Sequence, residues 1–178
     1  MKGLVFTELI EMIEDQFGLK VADDMIQKAN VPNKGAYTGV GTYPHSEMVS
    51  LVNALSESTG IETSKLYQVY GEHLFGRFRA LYGHFFSDKM TAFDFLESVD
   101  HYIHKEVKKL YPDAELPEFN TIEKTTERLI TIYKSERKMS DFAYGLIKGC
   151  MIYYKENVEI EMDPISETEM KFTIVKVK

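Results

Sequence analysis

Apolar residues recur at helical spacing from the first turn of the chain: Leu4, Val5, Leu9, Met12, Ile13 and Phe17 fall on one stripe, and Gly18 ends it. A second short stripe, Val21, Ala22, Met25, Ile26 and Ala29, stops before Pro32. Residues 33–44, NKGAYTGVGTYP, read as a loop because glycine, proline and asparagine punctuate them without periodicity. Their Gly39-Val40-Gly41 lacks the preceding strand and the full spacing of a dinucleotide-binding turn. Met48, Val49, Leu51, Val52 and Leu55 mark a third helix, from Glu47 to about Gly60. A fourth runs over about 64–81, where Gly76 is either tolerated or marks an irregularity. Thr91, with Asp94 three residues on, reads as a capping-box start. The long helix it opens is expected to run to Tyr111, where Pro112 stops it.

Beyond a proline-bearing connector over 112–120 the period changes. Residues 123–133 alternate as a strand, 141–154 return to helical spacing, and 158–162 and 170–177 alternate again around the turn-rich stretch 163–167. Three such strands predict an antiparallel sheet covered by helices. The expected fold class is therefore α+β, a helical N-terminal half packed on a C-terminal half with a long helix and a small antiparallel sheet.

Composition narrows the classes of function. At 178 residues, 44% hydrophobic and 28% charged, the chain has the make-up of one domain with a sizeable core. Its net charge of -7 argues against nucleic acid, which needs clustered Lys and Arg, and disfavours anionic lipid. A single cysteine, Cys150, cannot form an internal disulfide and lies in an apolar stretch, which suits a reducing compartment. Glu8 and Glu11 arrive too early for a signal segment and no apolar run reaches the length of a membrane span, so a cytoplasmic location is expected. The chain ends at Lys178 directly after the last alternating run, so any catalytic output is expected to come from another polypeptide. Its 11 Phe, 11 Tyr and 9 Met, with no Trp, suit either an ordinary core or one that encloses a flat apolar guest.

Candidate chemistry sits in two places. Tyr133, Ser135 and Arg137 occupy alternate positions, which in a continuing strand share one face. Two hydroxyls and a planar guanidinium there make a grip for a carboxylate or phosphate, although a strand running out into solvated residues has the same pattern. Of the histidines His45, His73, His84, His101 and His104, the last two share the expected long helix. On a regular wheel centred on Ile103, His104 lies about 100° from the apolar stripe and His101 about 160°. His101 thus joins the polar face and His104 the border, from which it reaches a cleft or merely packs against the stripe. As a pair they lack the further ligands of a zinc site, whereas one axial histidine suffices for haem iron.

The run HKEVKKLYP at 104–112, then Pro117, then YKSER at 133–137 resembles the H-NOX (haem nitric oxide/oxygen binding) domain of the stand-alone bacterial type, related to the haem domain of soluble guanylate cyclase. The likeness also takes in MKGLVFTEL at the start, FGLKVAD at 17–23, GAYTGVGTYPHSEMVSLV at 35–52 and GEHLFGRF at 71–78. It implies one domain over 1–178, with a helical distal part of about 1–62 and a proximal part of about 63–178 carrying the sheet, enclosing haem b (iron protoporphyrin IX). His104 would then be the axial ligand of the iron, while Tyr133, Ser135 and Arg137 bind the propionates. Pro117 would press on the porphyrin and hold it out of plane. Phe142 would line the distal side, where oxygen-binding members carry a tyrosine hydroxyl.

The function so implied is a sensor rather than an enzyme. It binds nitric oxide, and also carbon monoxide, at ferrous haem and discriminates against oxygen. Nitric oxide weakens the trans bond from iron to His104, and movement of haem and helix signals to a separate histidine kinase or diguanylate cyclase/phosphodiesterase. With Cys150 alone, the chain lacks the cysteine-rich zinc site of some relatives. Other readings stay open: a peroxidase-type haem enzyme using His45, His73 or His84, an oxygen sensor with a distal donor from elsewhere, and a cofactor-free adaptor.

Overall fold

Helix α1 (Gly3–Phe17) buries Phe6, Leu9, Met12 and Ile13 from its apolar stripe, and Gly18 ends it at a φ of 85°. The computed structural model describes residues 1–87 and 89–177, so the expectation attached to Lys178 lies outside the described residues. Helix α2 (Leu19–Ala29) follows at once and closes on left-handed Asn30. The loop carries the chain to α3 (His45–Thr59), closed by left-handed Gly60, and to α4 (Thr63–Leu81). Helix α4 runs unbroken through Gly76, where an added Cβ would meet nothing within 4 Å, so this glycine is tolerated and marks no irregularity.

Thr91 opens α5 (Ala92–Ser98) with the expected capping box: its hydroxyl accepts the Asp94 N–H at 3.2 Å and the Asp94 carboxylate accepts the Thr91 N–H at 3.0 Å. The uninterrupted helix expected from there to Tyr111 is corrected by the structure. A π turn over Val99–Ile103 separates α5 from α6 (His104–Leu110), closed by the His104 N–H donating to the Val99 carbonyl. An i→i+5 turn is wider than an α turn, so a wheel of constant step fails just before His104.

Four strands, β1 (Glu118–Lys124), β2 (Arg128–Lys134), β3 (Val158–Pro164) and β4 (Glu169–Lys176), make an antiparallel sheet in the order β1-β2-β4-β3. The single strand expected over 123–133 is in fact the end of β1, a turn and β2. Thr125 builds that turn without glycine or proline. Its N–H donates to the Arg128 carbonyl at 2.8 Å and its hydroxyl accepts the Arg128 N–H at 2.9 Å. Strand β1 lies on the sheet edge and buries none of its side chains fully, which hides it within the expected connector.

Helix α7 (Ser140–Tyr153) crosses α4 at very close range: an added Cβ at Gly145 would lie 2.1 Å from the Gln68 carbonyl oxygen. The pair joins two apolar cores. One gathers α1 to α4, with Tyr70 and Leu74 at its centre. The other joins α5, the inner face of the sheet and α7, around Phe93, Leu129, Phe172 and Ile174. Among the described residues no helix is long and apolar enough to cross a membrane.

Candidate functional site

A cavity of about 620 Å³ opens between the two cores. That volume lies within the roughly 300–1,000 Å³ of sites that enclose a whole small-molecule ligand. Val5, Leu74, Phe78 and Leu146 form one wall, and Val99, Ile103, Phe119 and Leu129 form the other. The six residues singled out in the sequence, His104, Pro117, Tyr133, Ser135, Arg137 and Phe142, all line it.

The π turn sets His104 at the head of α6 with its side chain 16% exposed. Burial pushes its imidazolium below the usual histidine range, against the pull of the Asp100 carboxylate and the Pro117 carbonyl. A neutral imidazole keeps one nitrogen lone pair free for an acceptor such as a metal. Nδ1 stands 3.8 Å from Asp100 Oδ1, and that oxygen also accepts the Phe119 N–H at 3.3 Å. His101 is exposed and does not line the cavity.

The polar corner forms by a route other than strand alternation. Strand β2 stops at Lys134, and the chain turns: Ser135 donates its N–H to the Thr168 carbonyl at 2.9 Å and accepts the Arg137 N–H on its hydroxyl at 3.2 Å. Lys138, at a φ of 53°, completes the turn. Tyr133, buried at the end of the strand, has its phenol pushed up by desolvation, while Ser135, the Met139 backbone and Arg137 pull it back. The Arg137 guanidinium is 16% exposed and donates to Glu115, whose carboxylate is 86% exposed, at 3.1 Å. A sheltered guanidinium at the cavity edge thus already binds one carboxylate, through a single nitrogen, and has further donors for another.

Phe142, on α7, lies 5.3 Å ring to ring from Tyr70, whose hydroxyl is committed to the Val5 carbonyl. Tyr144 packs into the second core and is absent from the cavity wall. Of the remaining histidines only His45 lines the cavity among the described residues, and it is exposed at the head of α3. The rim is closed by Lys2 and Thr42, which donate to Asp113 at 3.1 and 2.9 Å, with the Lys2 ammonium 4.7 Å above the Tyr111 ring.

Asp100, Glu115 and this rim cluster were not singled out in the sequence. Only Asp100 carried a signal there, standing four residues before His104 on a helix. An apolar chamber with a neutral histidine on one wall and a carboxylate fork at one corner fits a largely apolar metal macrocycle bearing acidic side groups.

Comparison with known proteins agrees with that chemistry. The family model described as haem-NO-binding matches residues 2–162. No curated protein matches the chain. Among solved structures the chain is similar to an unliganded Fe(II) H-NOX protein from K. algicida, with a TM-score of 0.94 and 38% identity over 100% of this chain and 97% of that one. It is also similar to the H-NOX from Shewanella woodyi, solved in solution in the Fe(II)CO state with IWP-051 bound, with a TM-score of 0.85 and 37% identity over 99% and 95% of the two chains. An H-NOX protein from S. oneidensis in the Fe(II)NO state, at 21% identity, TM-score 0.90 and 100% of both chains, shares the fold. From the family match, spanning nearly all of its length, the chain belongs to the haem-NO-binding family, the H-NOX proteins.

Proposed function

We propose that this chain is a haem-based nitric oxide sensor that signals to a separate protein and is not itself an enzyme. The observation that carries the reading is the pairing, in one apolar cavity, of the sheltered His104, whose surroundings disfavour the imidazolium, with the carboxylate-binding Arg137. In this reading His104 would hold the iron of haem b, and Tyr133, Ser135 and Arg137 would hold its propionates. Arg137 exchanges the exposed Glu115 carboxylate for a sheltered one, so the new pair is less screened by water. Pro117, stiff and on the cavity wall, would press against the macrocycle. Haem b would supply the iron chemistry that takes nitric oxide or carbon monoxide, and His104 would hold that iron from the α6 side of the cavity.

Phe142 sets the selectivity. A diatomic ligand whose outer atom takes on negative charge, as oxygen does, gains about 1–3 kcal/mol from a facing donor. That is roughly 5- to 150-fold in affinity. Phe142 offers no hydroxyl, Tyr70 spends its own on Val5, and the neighbours Leu74, Phe78 and Leu146 are apolar, all of which supports discrimination against oxygen.

A loosened hold of His104 on the group would let α6 move against the sheet, and that movement would be the output. Residues of about 1–62 form the distal part and about 63–178 the proximal part, with α4 and α7 reaching into both. A histidine kinase or a diguanylate cyclase/phosphodiesterase reads the change, provided it binds the two states with different affinity. The acidic balance and single cysteine support a cytoplasmic protein without nucleic acid or membrane partners.

Expression with adequate haem tests the reading. The protein is expected to carry a Soret band, and Arg137→Ala is expected to lose haem faster to an apomyoglobin acceptor, by roughly 10-fold or more for a bond of at least 1.5 kcal/mol. A chain without a Soret band is a cofactor-free adaptor instead, and steady turnover of peroxide marks a haem enzyme.

A further inference from the structure

We propose that Asp100 is a positioning residue for His104: its carboxylate fixes the Nδ1–H tautomer, leaves Nε2 as the lone-pair nitrogen, and strengthens the histidine as a ligand. The last of these three effects rests on the haem reading above; the first two do not. Asp100 Oδ1 lies 3.8 Å from Nδ1, beyond a hydrogen bond but within the range at which its charge acts on the ring. The carboxylate is not a freely swinging surface group, because the same oxygen accepts the Phe119 N–H at 3.3 Å from β1. It thereby ties the orientation of the histidine to the sheet as well as to the helix.

The backbone supports the same assignment. The π turn over Val99–Ile103 contains Asp100 and is closed by the N–H of His104 itself. Wide turns of this kind are rare inside helices and occur frequently at functional sites. The other groups that face the ring are the Pro117 carbonyl, a neutral acceptor, and the Lys108 ammonium, a cation that disfavours charge on the ring. Asp100 is the anion among them. A carboxylate acting on the distant nitrogen of a ligating histidine sets its tautomer and raises its basicity. It makes the bond to the metal harder to break from the opposite side. Asp100 in this way sets the threshold at which nitric oxide detaches His104.

Asp100→Asn keeps an acceptor for the Phe119 N–H while removing the charge and replacing one carboxylate oxygen with an NH2 donor, and Asp100→Glu restores the charge. In the haem-loaded ferrous full-length protein, resonance Raman spectroscopy is expected to show the iron–histidine stretch shifted down in Asp100→Asn and moved back in Asp100→Glu. Stopped-flow absorption is expected to show His104 leaving the iron under nitric oxide roughly 10-fold faster in Asp100→Asn, the lower end of the effect of outer-shell partners. In the haem-free full chain, ¹⁵N spectra, with His104 assigned through His104→Gln, are expected to show the Nδ1–H tautomer, and Asp100→Asn a shift towards Nε2–H.

An Asp100→Asn protein with an unchanged stretch and unchanged departure rate overturns the ligand-strengthening role, as when the Pro117 carbonyl alone takes the N–H. An unchanged tautomer overturns the positioning role itself. A chain that takes up no haem fails the sensor reading, and the tautomer measurement then still decides the role of Asp100.

Discussion

At the scale of single residues, the site is a set of side chains whose chemistry was legible in the sequence but whose means of assembly was not. His104, Tyr133, Ser135 and Arg137 stood out by residue type and spacing, and all four reach the cavity. The alternation that suggested a shared strand face was the wrong cause: a turn built on Ser135 brings Arg137 round to Tyr133. Asp100 went unread because its four-residue spacing to His104 gains meaning only when a sheet N–H and the histidine are seen to converge on it. Phe142 gives the sharpest single-residue prediction. Phe142→Tyr places a hydroxyl on the wall now formed by Leu74, Phe78 and Leu146, and oxygen titration of the ferrous protein is expected to show affinity rising roughly 5- to 150-fold. Unchanged oxygen affinity with the fold intact contradicts the role given to Phe142.

At the scale of elements, stripes of period 3.6 made α1 to α4 and α7 readable, since each buries one continuous apolar face. The π turn was invisible because nothing in its residues, Val99 to Ile103, breaks the helical pattern that the turn distorts. Strand β1 was missed because it buries no side chain fully and meets β2 through a threonine turn without glycine, proline or asparagine. Two predictions belong here. Gly145→Ala puts a methyl 2.1 Å from the Gln68 carbonyl, so α4 and α7 must part. A cost of about 1–3 kcal/mol is expected from such overpacking, seen as a Tm lower by roughly 2–4 °C per kcal/mol. Asp94 gives a pH dependence. Lys124 and Thr91 hold its carboxyl at about 2, against an ordinary 3.8. The stability it contributes is present above the ordinary value and is lost as pH falls through the folded one. Thermal melts of the parent and Asp94→Asn are therefore expected to differ at pH 6 and to converge towards pH 2, with a smaller gap in high salt because the side chain is 42% exposed. A gap that persists at pH 2 contradicts the assignment.

At the scale of the whole molecule, two cores are joined through α4 and α7 and leave the cavity between them, with the rim cluster of Lys2, Thr42 and Asp113 closing one edge. That the chain is α+β followed from its periodicities, whereas a chamber between two cores did not, because residues over 92–147 from separate elements build its second wall. The arrangement places His104 at the head of α6 on one wall, Arg137 at the corner and the apolar side chains around Phe142 opposite. The measurement that tests this account most directly is the absorption spectrum of the haem-loaded ferrous protein, alone and under oxygen, carbon monoxide and nitric oxide. The account predicts a Soret band that shifts with carbon monoxide, shifts with nitric oxide to the position of haem that has lost its histidine, and stays unchanged under oxygen apart from slow oxidation. A stable oxygen complex, or a histidine ligand retained under excess nitric oxide, contradicts it.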